Sequence, residues 1–246
     1  MLEINNLTKI YPGGHKAVDD VSLTVNAGEI YGFIGPNGAG KTTTIKAVTG
    51  IIDFDHGEIA IDGHDIANEP IEAKKITAFL PDNPDLYDQL TGIQYLNFVA
   101  DMYGVGKKER EKRIREYADA FEITPDLGSL ISSYSHGMKQ KLALISALIH
   151  NPKLLVLDEP FVGLDPKASV TLKRYMHELC RAGSAIFFST HVLDTAEKLC
   201  DKIAIIKNGR IVESGRLEDL TRGESLEDTF METVENDSST ADKQAR

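Results

Sequence analysis

The sequence predicts an α/β fold with a mainly parallel sheet, an antiparallel β subdomain and an inserted α-helical subdomain. Three observations support this prediction. A glycine-rich loop at residues 35–43 lies between an apolar run and a helix-compatible stretch. Several other apolar runs are short and continuous, which is typical of strands covered on both faces. A long central stretch shows helical spacing and no strand-like run.

The antiparallel subdomain is predicted from the first part of the chain. Residues 2–7 and 18–25 alternate weakly between apolar and polar side chains, and the turn-rich Pro12-Gly13-Gly14 separates them. Residues 57–62 form another candidate strand, closed by the Asp62-Gly63 turn. Alternation of this kind indicates half-buried strands, which are usually antiparallel.

The parallel sheet is predicted from five continuous apolar runs. They occupy residues 30–34, 76–80, 154–157, 185–188 and 203–206. Helix-compatible stretches lie between several of them, as expected where crossover helices join parallel strands.

The helical subdomain is predicted at about residues 85–150, inserted into the sheet domain. Residues 93–103 and 107–121 have helical spacing, and we interpret the charges of the second stretch as a solvated face. Four apolar residues then recur at intervals of four, three and four: Met138, Leu142, Ile145 and Ile149.

The C-terminal part is expected to differ from the main domain, which we predict at residues 1–217. Within the acidic remainder, 218–246, residues 226–234 form a short helix candidate. Residues 235–246 are too polar to pack, so we expect them to be disordered.

Composition limits the kinds of partner. Lys and Arg number 27 against 38 Asp and Glu, a net charge of −11, which argues against binding to nucleic acid. The two cysteines, Cys180 and Cys200, suit a reducing compartment. The N-terminus has no signal-like pattern and no window of 18 apolar residues occurs. We therefore expect a cytoplasmic protein, whose role at a membrane would come through a partner.

One stretch matches the phosphate-loop pattern G-x-x-x-x-G-K-[ST] in full: Gly35-Pro36-Asn37-Gly38-Ala39-Gly40-Lys41-Thr42-Thr43. Glycines let successive N–H groups point inward at anionic oxygens, and the following helix adds its N-terminal dipole. We expect Lys41 to reach the β- and γ-phosphates and Thr42 to ligate Mg²⁺. The alternative, a glycine-rich turn that binds nothing, is disfavoured by the strand and helix on either side. The stretch predicts the nucleotide site of a P-loop NTPase core.

Two carboxylates, Asp158 and Glu159, end the apolar run at residues 154–157. Ligands of an open α/β sheet sit at the C-terminal ends of its strands, so both acids are expected to face the phosphate loop. Asp158 is suited to holding Mg²⁺, either directly or through another ligand. Glu159 is suited to polarising the attacking water. The simpler alternative is a strand that runs into solvent on a pair of acids.

Another buried strand ends in a histidine, in Phe187-Phe188-Ser189-Thr190-His191. A lone histidine is more often a surface or core residue. At a strand end beside the groups above, His191 is better placed as a phosphate contact.

Two further motifs complete an ordered set: Ser135-His136-Gly137-Met138-Lys139-Gln140 and Gly163-Leu164-Asp165. With the phosphate loop, the 154–160 strand end and His191, they resemble the nucleotide-binding subunit of an ATP-binding cassette (ABC) transporter over about residues 2–217. The resemblance implies an ATPase that uses ATP and Mg²⁺ and powers transport through a separate transmembrane permease subunit. It also implies a dimer, either a homodimer or a heterodimer with a second ABC subunit.

The resemblance implies roles for particular residues. Tyr11 resembles the aromatic residue that stacks on adenine, with an ordinary strand aromatic as the alternative. Ser135 and Gly137 match the signature that closes over the γ-phosphate of ATP held by the opposite protomer, and Ser135 also suits a helix N-cap. Asp165 matches the loop that crosses the dimer seam, and His191 matches the switch histidine.

The sequence departs from the family pattern at two places. The signature usually reads Leu-Ser-Gly-Gly-Gln, and here it reads Tyr134-Ser135-His136-Gly137-Met138. The loop expected to carry a glutamine reads Pro81-Asp82-Asn83-Pro84, so Asp82 falls at that position. A carboxylate there can ligate Mg²⁺ or hold its water, while it adds negative charge beside the phosphates.

The resemblance favours export and a location on the inner face of the cell membrane, held there by the permease. Residues 226–230 are similar to the ending of subunits that pair with six-helix membrane proteins and usually export. Two other classes stay open. Against a soluble, non-transport ABC ATPase stand the single phosphate loop and the acidic charge. Against a regulatory module that binds nucleotide without hydrolysis stands the intact Glu159.

Overall fold

The computed structural model describes residues 1–232, which form ten strands and eight α-helices besides a final helical segment at residues 226–232. The strands are β1 (Leu2–Ile10), β2 (Lys16–Val25), β3 (Ile30–Ile34), β4 (His56–Ile61), β5 (His64–Asp65), β6 (Thr77–Leu80), β7 (Leu154–Asp158), β8 (Ala185–Thr190), β9 (Lys202–Lys207) and β10 (Arg210–Arg216). The helices are α1 (Lys41–Val48), α2 (Pro70–Lys75), α3 (Gly92–Met102), α4 (Lys107–Ala120), α5 (His136–Leu148), α6 (Pro166–Arg181), α7 (Leu193–Leu199) and α8 (Leu217–Thr221).

The larger sheet has six strands in the order β10-β9-β3-β8-β7-β6. Strands β9, β3, β8, β7 and β6 pair in parallel, and β10 joins the edge antiparallel to β9. This confirms the predicted mainly parallel sheet. The central strands β3, β7 and β8 are buried at every residue, because both faces of the sheet are covered.

The smaller sheet has four strands in the order β2-β1-β4-β5, all of them antiparallel. This confirms the predicted antiparallel subdomain. Strands β1 and β2 turn at Tyr11-Pro12-Gly13-Gly14-His15, where the Tyr11 N–H donates to the His15 carbonyl at 2.9 Å. The turn therefore holds Tyr11 and His15 close together at one end of this sheet.

Two apolar clusters cover the two faces of the large sheet. Along β7, Leu155 and Leu157 pack with helices of one cluster, and Leu154 and Val156 pack in the other cluster with the small sheet. Successive strand residues point to opposite faces, so a strand between two clusters must be apolar at every position. This is the physical reason for the continuous apolar runs of the sequence.

Helices α3, α4 and α5 lie between β6 and β7 in the chain, joined by 3₁₀ turns at Thr124–Asp126 and Ile131–Ser133. Thr91 begins α3 with a capping box, in which its hydroxyl and the side chain of Gln94 each bond the other's backbone N–H. The prediction of helices alone in this region agrees with these elements.

The C-terminal residues that the structure describes lie against the domain. Residues 226–232 are helical, Leu226 is fully buried, and Phe230 packs against the same apolar cluster. The rest of the predicted 226–234 helix and the expected disorder of 235–246 lie outside the described residues, and the domain boundary at 217 stays a prediction. Within residues 1–232, no helix has the length and apolarity needed to cross a membrane.

We expect Phe187→Ala to lower the free energy of unfolding by about 3–5 kcal/mol, because it leaves a cavity in a packed core. Phe187 is fully buried on β8, and its ring lies 6.0 Å from that of Tyr31 and 5.4 Å from that of Phe33. Denaturant unfolding measures the loss. The matched control is Phe98→Ala, which removes a ring that is 42% exposed. Equal losses in the two variants would contradict the two-cluster core.

Candidate active site

The loop between β3 and α1 has a backbone path that requires glycine. Gly38 and Gly40 have φ angles of +79° and +111°, which residues other than glycine rarely adopt. A Cβ on Gly40 would lie 2.4 Å from the Ala17 carbonyl oxygen, and one on Gly35 would lie 2.4 Å from that of Ile206. The loop thus packs closely against β2 and the end of β9. A side chain at these glycine positions would clash with a neighbouring backbone or strain the loop.

Helix α1 starts at Lys41 with its first amides free of a side-chain cap, because Gly40 occupies the N-cap position. The first N–H groups of a helix have no partner within the helix, and together with its dipole they attract anions. Thr42 and Thr43 of this first turn line a pocket. The first turn of α1 therefore has the features of a phosphate-binding site.

Lys41 is nearly buried, at 7% exposed, and its ammonium group is held inside the loop. Its Nζ donates to the carbonyl oxygens of Gly35 at 2.7 Å and Pro36 at 3.3 Å. The same Nζ lies 3.6 Å from Oε1 of Glu159. Three oxygen atoms of the chain therefore surround the Lys41 ammonium group.

A pocket of about 340 Å³ opens beside the loop. The sequence-predicted residues on its wall are Tyr11, Pro36, Asn37, Gly38, Gly40, Lys41, Thr42, Thr43, Asp82 and Glu159. Gly35 and Ala39 are buried behind the wall, where the Ala39 carbonyl accepts from the Gly209 N–H at 2.9 Å. The loop and strand-end motifs therefore meet at one cavity.

Two residues on the pocket wall, His15 and Ala17, were not anticipated from the sequence. They face the pocket because the β1–β2 turn folds back beside Tyr11, which is 38% exposed. The Pro12-Gly13-Gly14 turn was the available signal, since a tight turn brings the residues on its two sides together.

Asp158 and Glu159 are tied to the neighbouring strand by one hydroxyl. The fully buried Ser189 donates through Oγ to Oδ1 of Asp158, and the same Oγ accepts from the Glu159 backbone N–H at 3.1 Å. Glu159 has a φ of +47°, a left-handed backbone conformation that is uncommon for residues other than glycine. Ser189 therefore supports a strained backbone turn that aims the Glu159 carboxylate.

Glu159 joins His191 to Lys41. Its Oε1 lies 2.9 Å from Nδ1 of His191 and 3.6 Å from Nζ of Lys41. The side chain of Glu159 is 13% exposed, whereas that of His191 is 50% exposed. Partly shielded from water, the carboxylate is oriented by two groups and remains open to the pocket.

Asp82 stands on the pocket wall near the other acids. Partial burial, followed by the charges of Asp158 and Glu159, raises its pKa above the ordinary value, and His136 and His191 oppose the shift. A cation in the pocket would favour its charged form.

The residues present fit a Mg²⁺ ion that is shared with a nucleotide. Within residues 1–232 no group of three or more His, Cys, Asp or Glu side chains is arranged as a complete metal site. Mg²⁺ commonly binds through one or two protein oxygens together with phosphates and water. Thr42 and Asp82 on the wall offer such oxygens, whereas Asp158 is 2% exposed and does not line the pocket.

Ser135 and Gly137 do not line this pocket. Ser135 is the N-cap of α5, as the sequence predicts for a cap, and its Oγ accepts from the Met138 N–H at 3.3 Å. Asp165 caps α6 by accepting from the Ala168 N–H at 2.8 Å, and it pairs with Lys141 at 2.7 Å. The roles of Ser135 and Gly137 toward a second protomer stay predictions.

Comparison with known proteins agrees with this geometry. The family model described as "ABC transporter" matches residues 18–162, more than half of the 246-residue chain. The ABC-type transporter ATP-binding protein EcsA of Bacillus subtilis is 34% identical over 242 residues, covering 96% of this chain and 98% of its own. The linearmycin resistance ATP-binding protein LnrL of the same species is 35% identical, covering 89% of this chain and 70% of its own.

Solved structures of ABC transporter ATP-binding proteins are also similar to this chain. An ATP-binding subunit of an ABC transporter superposes with a TM-score of 0.91 and 37% identity, covering 95% of this chain and 99% of its own. The ATP-binding cassette MJ0796, solved as a dimer in a post-hydrolysis state with ADP and Pi, has a TM-score of 0.80 and 25% identity. It covers 88% of this chain and 99% of its own.

The fold and site define a P-loop ATPase of the cassette type. The chain belongs to the ABC transporter family, as an ATP-binding subunit that hydrolyses ATP with Mg²⁺.

We expect Ser189→Ala to slow ATP hydrolysis by about tenfold to a hundredfold, because it removes the group that bonds Asp158 and the Glu159 backbone. Steady-state ATP turnover by the purified chain measures the effect. Ser184→Ala is the matched control, since Ser184 is also buried and its Oγ donates to the Pro152 carbonyl at 2.8 Å, away from the pocket. If both variants kept the normal rate, Ser189 would have no part in aligning the acids.

Proposed function

We propose that this chain powers export through a separate membrane subunit, and that it works as a dimer with ATP enclosed between two cassettes. The cluster of Lys41, Glu159 and His191 at the phosphate-loop pocket supports the ATP hydrolysis that would drive this transport. It combines a phosphate-binding cation with a carboxylate placed to polarise water.

Lys41 and the first turn of α1 would bind the triphosphate. On binding, the Lys41 ammonium exchanges the Gly35 and Pro36 carbonyl oxygens for the β- and γ-phosphate oxygens. Thr42 and Asp82 would hold Mg²⁺, which when bound neutralises phosphate charge, and Asp158 would support it from behind the wall. Tyr11 lies on the same wall and is partly exposed, as stacking on adenine requires.

Glu159 would act as the general base for the attacking water. Its Oε1 is fixed by His191 at 2.9 Å, so the carboxylate is oriented before water arrives. His191 is half exposed, and it would contact the γ-phosphate while it holds Glu159. The two residues thus link the presence of the γ-phosphate to the orientation of the base.

Ser135 and Gly137 would complete the site of a second protomer. Both stand at the start of α5 and neither lines the pocket of their own chain. Ser135 is exposed, and the positive end of α5 lies behind it, which suits binding of an anion from outside. ATP-binding subunits of this family act as dimers, and the dimeric MJ0796 cassette supports the proposal. The partner cassette would be a second copy or a sister subunit.

A second groove, of about 280 Å³, would receive the membrane subunit. It lies between β6 and the helical region, and its wall carries Tyr87, Tyr95, Phe98, Met102, Tyr103 and His150. Tyr87, Phe98 and Met102 are 58%, 42% and 68% exposed, so the groove presents apolar surface to solvent. Such exposed patches mark interaction sites. A helix end of the permease would fit here and hold the chain at the inner face of the membrane.

Export, rather than import, is supported by two similarities. Residues 226–230 and the Pro81-Asp82 departure each resemble those of exporter subunits. In addition, one relative is named a resistance ATP-binding protein. The cargo would be set by the membrane subunit.

We expect Glu159→Gln to lower ATP turnover by about 10²–10⁴-fold while it keeps ATP binding, because a general base contributes about that much. With hydrolysis blocked, Mg-ATP should convert the chain to a stable dimer, measured by light scattering after size exclusion. The matched control is Glu178→Gln, whose carboxylate is 45% exposed on α6. Normal turnover in Glu159→Gln would remove Glu159 from the role of base.

We expect Met102→Glu to abolish association with the membrane subunit, because it places a charge in the apolar groove. Sedimentation with membranes from cells that naturally contain the protein measures the association, and ATP binding by the purified chain should not change. Val170→Glu is the control, since Val170 is equally exposed, at 69% against 68%, and does not line the groove. If Met102→Glu sediments like the unaltered chain, this groove is not the docking site.

A further inference from the structure

A buried glutamine beside the signature residues has no part in the site described above. Gln140 lies on α5 and is 0% exposed. Neither its side-chain oxygen nor its side-chain nitrogen has a hydrogen-bond partner among the described residues. An amide that is buried without a partner is unfavourable, because it has lost its hydrogen bonds to water and gained none. Such an amide calls for an explanation, and one explanation is a partner that another state of the protein supplies.

The position of Gln140 on α5 indicates where that partner lies. A Cβ on Gly137 would be 3.2 Å from the Gly163 carbonyl oxygen, and one on Gly163 would be 2.8 Å from the His136 ring. Lys141 Nζ lies 2.7 Å from Oδ2 of Asp165. On a helix of 3.6 residues per turn, Gln140 falls angularly between His136 and Gly137. It is thus in the middle of a stripe whose other members contact residues 163–165.

The facing segment, residues 161–165, begins two residues after Glu159 and contains one long internal hydrogen bond. Its internal bond, from the Leu164 N–H to the Phe161 carbonyl, is 3.4 Å long, at the weak end for such bonds. The Val162 N–H donates to the Glu159 carbonyl at 3.1 Å. A shift of this segment therefore moves backbone groups past Gln140 and acts on the turn that holds Glu159.

We propose that Gln140 is a positioning residue for the ATP-bound dimer. When two protomers close, its amide hydrogen-bonds backbone groups of residues 161–165 of its own chain. These bonds fix the start of α5, with Ser135, relative to Glu159. One residue thereby couples the surface offered to the partner's ATP to the base of its own site. The inference rests on the proposed function, because it requires the closed dimer.

The test uses Gln140→Leu, which keeps the volume approximately and removes the amide. In the nucleotide-free chain we expect the midpoint of thermal unfolding to rise by about 2–4 °C, because an unpartnered amide is lost. In the Glu159→Gln background we expect Mg-ATP-driven dimerisation to weaken by about tenfold, because each protomer lacks its closing bonds. Analytical ultracentrifugation measures the dimer. Gln89→Leu, at an exposed glutamine, should change neither quantity.

The opposite signs of the two effects separate positioning from a merely structural role. A fall in the unfolding midpoint of Gln140→Leu would overturn the proposal, since the amide would then already be partnered in the separate chain. An unchanged dimer affinity would overturn it as well. If Gln140→Leu does not fold, Gln140→Met, unbranched like glutamine, is measured in the same way. Failure of Glu159→Gln itself to dimerise would instead contradict the proposed function.

Discussion

The active site depends on the parallel register of three central strands. Pairing of β3 with β8 places Ile34 opposite Thr190, and pairing of β7 with β8 places Asp158 opposite Ser189. The phosphate loop, Glu159 and His191 are the groups that follow these strand ends, so they meet at one edge without long connections. Because both faces of the sheet are packed, a shift of one residue would exchange the side chains that face the two apolar clusters and disrupt their packing. Core packing thus determines the register, and the register brings the residues of the site together.

At that edge, polar groups of the chain hold one another in position. Lys41 is surrounded by two loop carbonyls and Glu159, and Glu159 is also bonded to His191. The left-handed turn at Glu159 is supported by Ser189 from the neighbouring strand. In the proposed mechanism, nucleotide binding exchanges partners around groups that are already in place. Preorganisation of this kind favours catalysis, because little has to be rearranged as charge develops.

The parts of the fold and site that short segments encode can be predicted from the sequence. The parallel strands were visible as continuous apolar runs, and the phosphate loop carries its spacing with it. Ser189 was missed because its role arises from strand pairing. The unpartnered state of Gln140 likewise depends on packing against a distant segment. Strand β10 was overlooked because its edge position leaves it polar, although the Asn208-Gly209 turn before it, with φ angles of +49° and +80°, is a hairpin signal.

In the proposed ATP-bound dimer, one chain binds the triphosphate through Lys41 and a second cassette completes the enclosure. A crystal structure of the Glu159→Gln chain with Mg-ATP tests it most directly. We expect Lys41 Nζ to leave the Gly35 carbonyl oxygen, which lies 2.7 Å away, and to bind the β- and γ-phosphates. We also expect Ser135 of another copy to lie against the γ-phosphate. A nucleotide bound away from Lys41, or enclosed by one chain alone, would contradict the account.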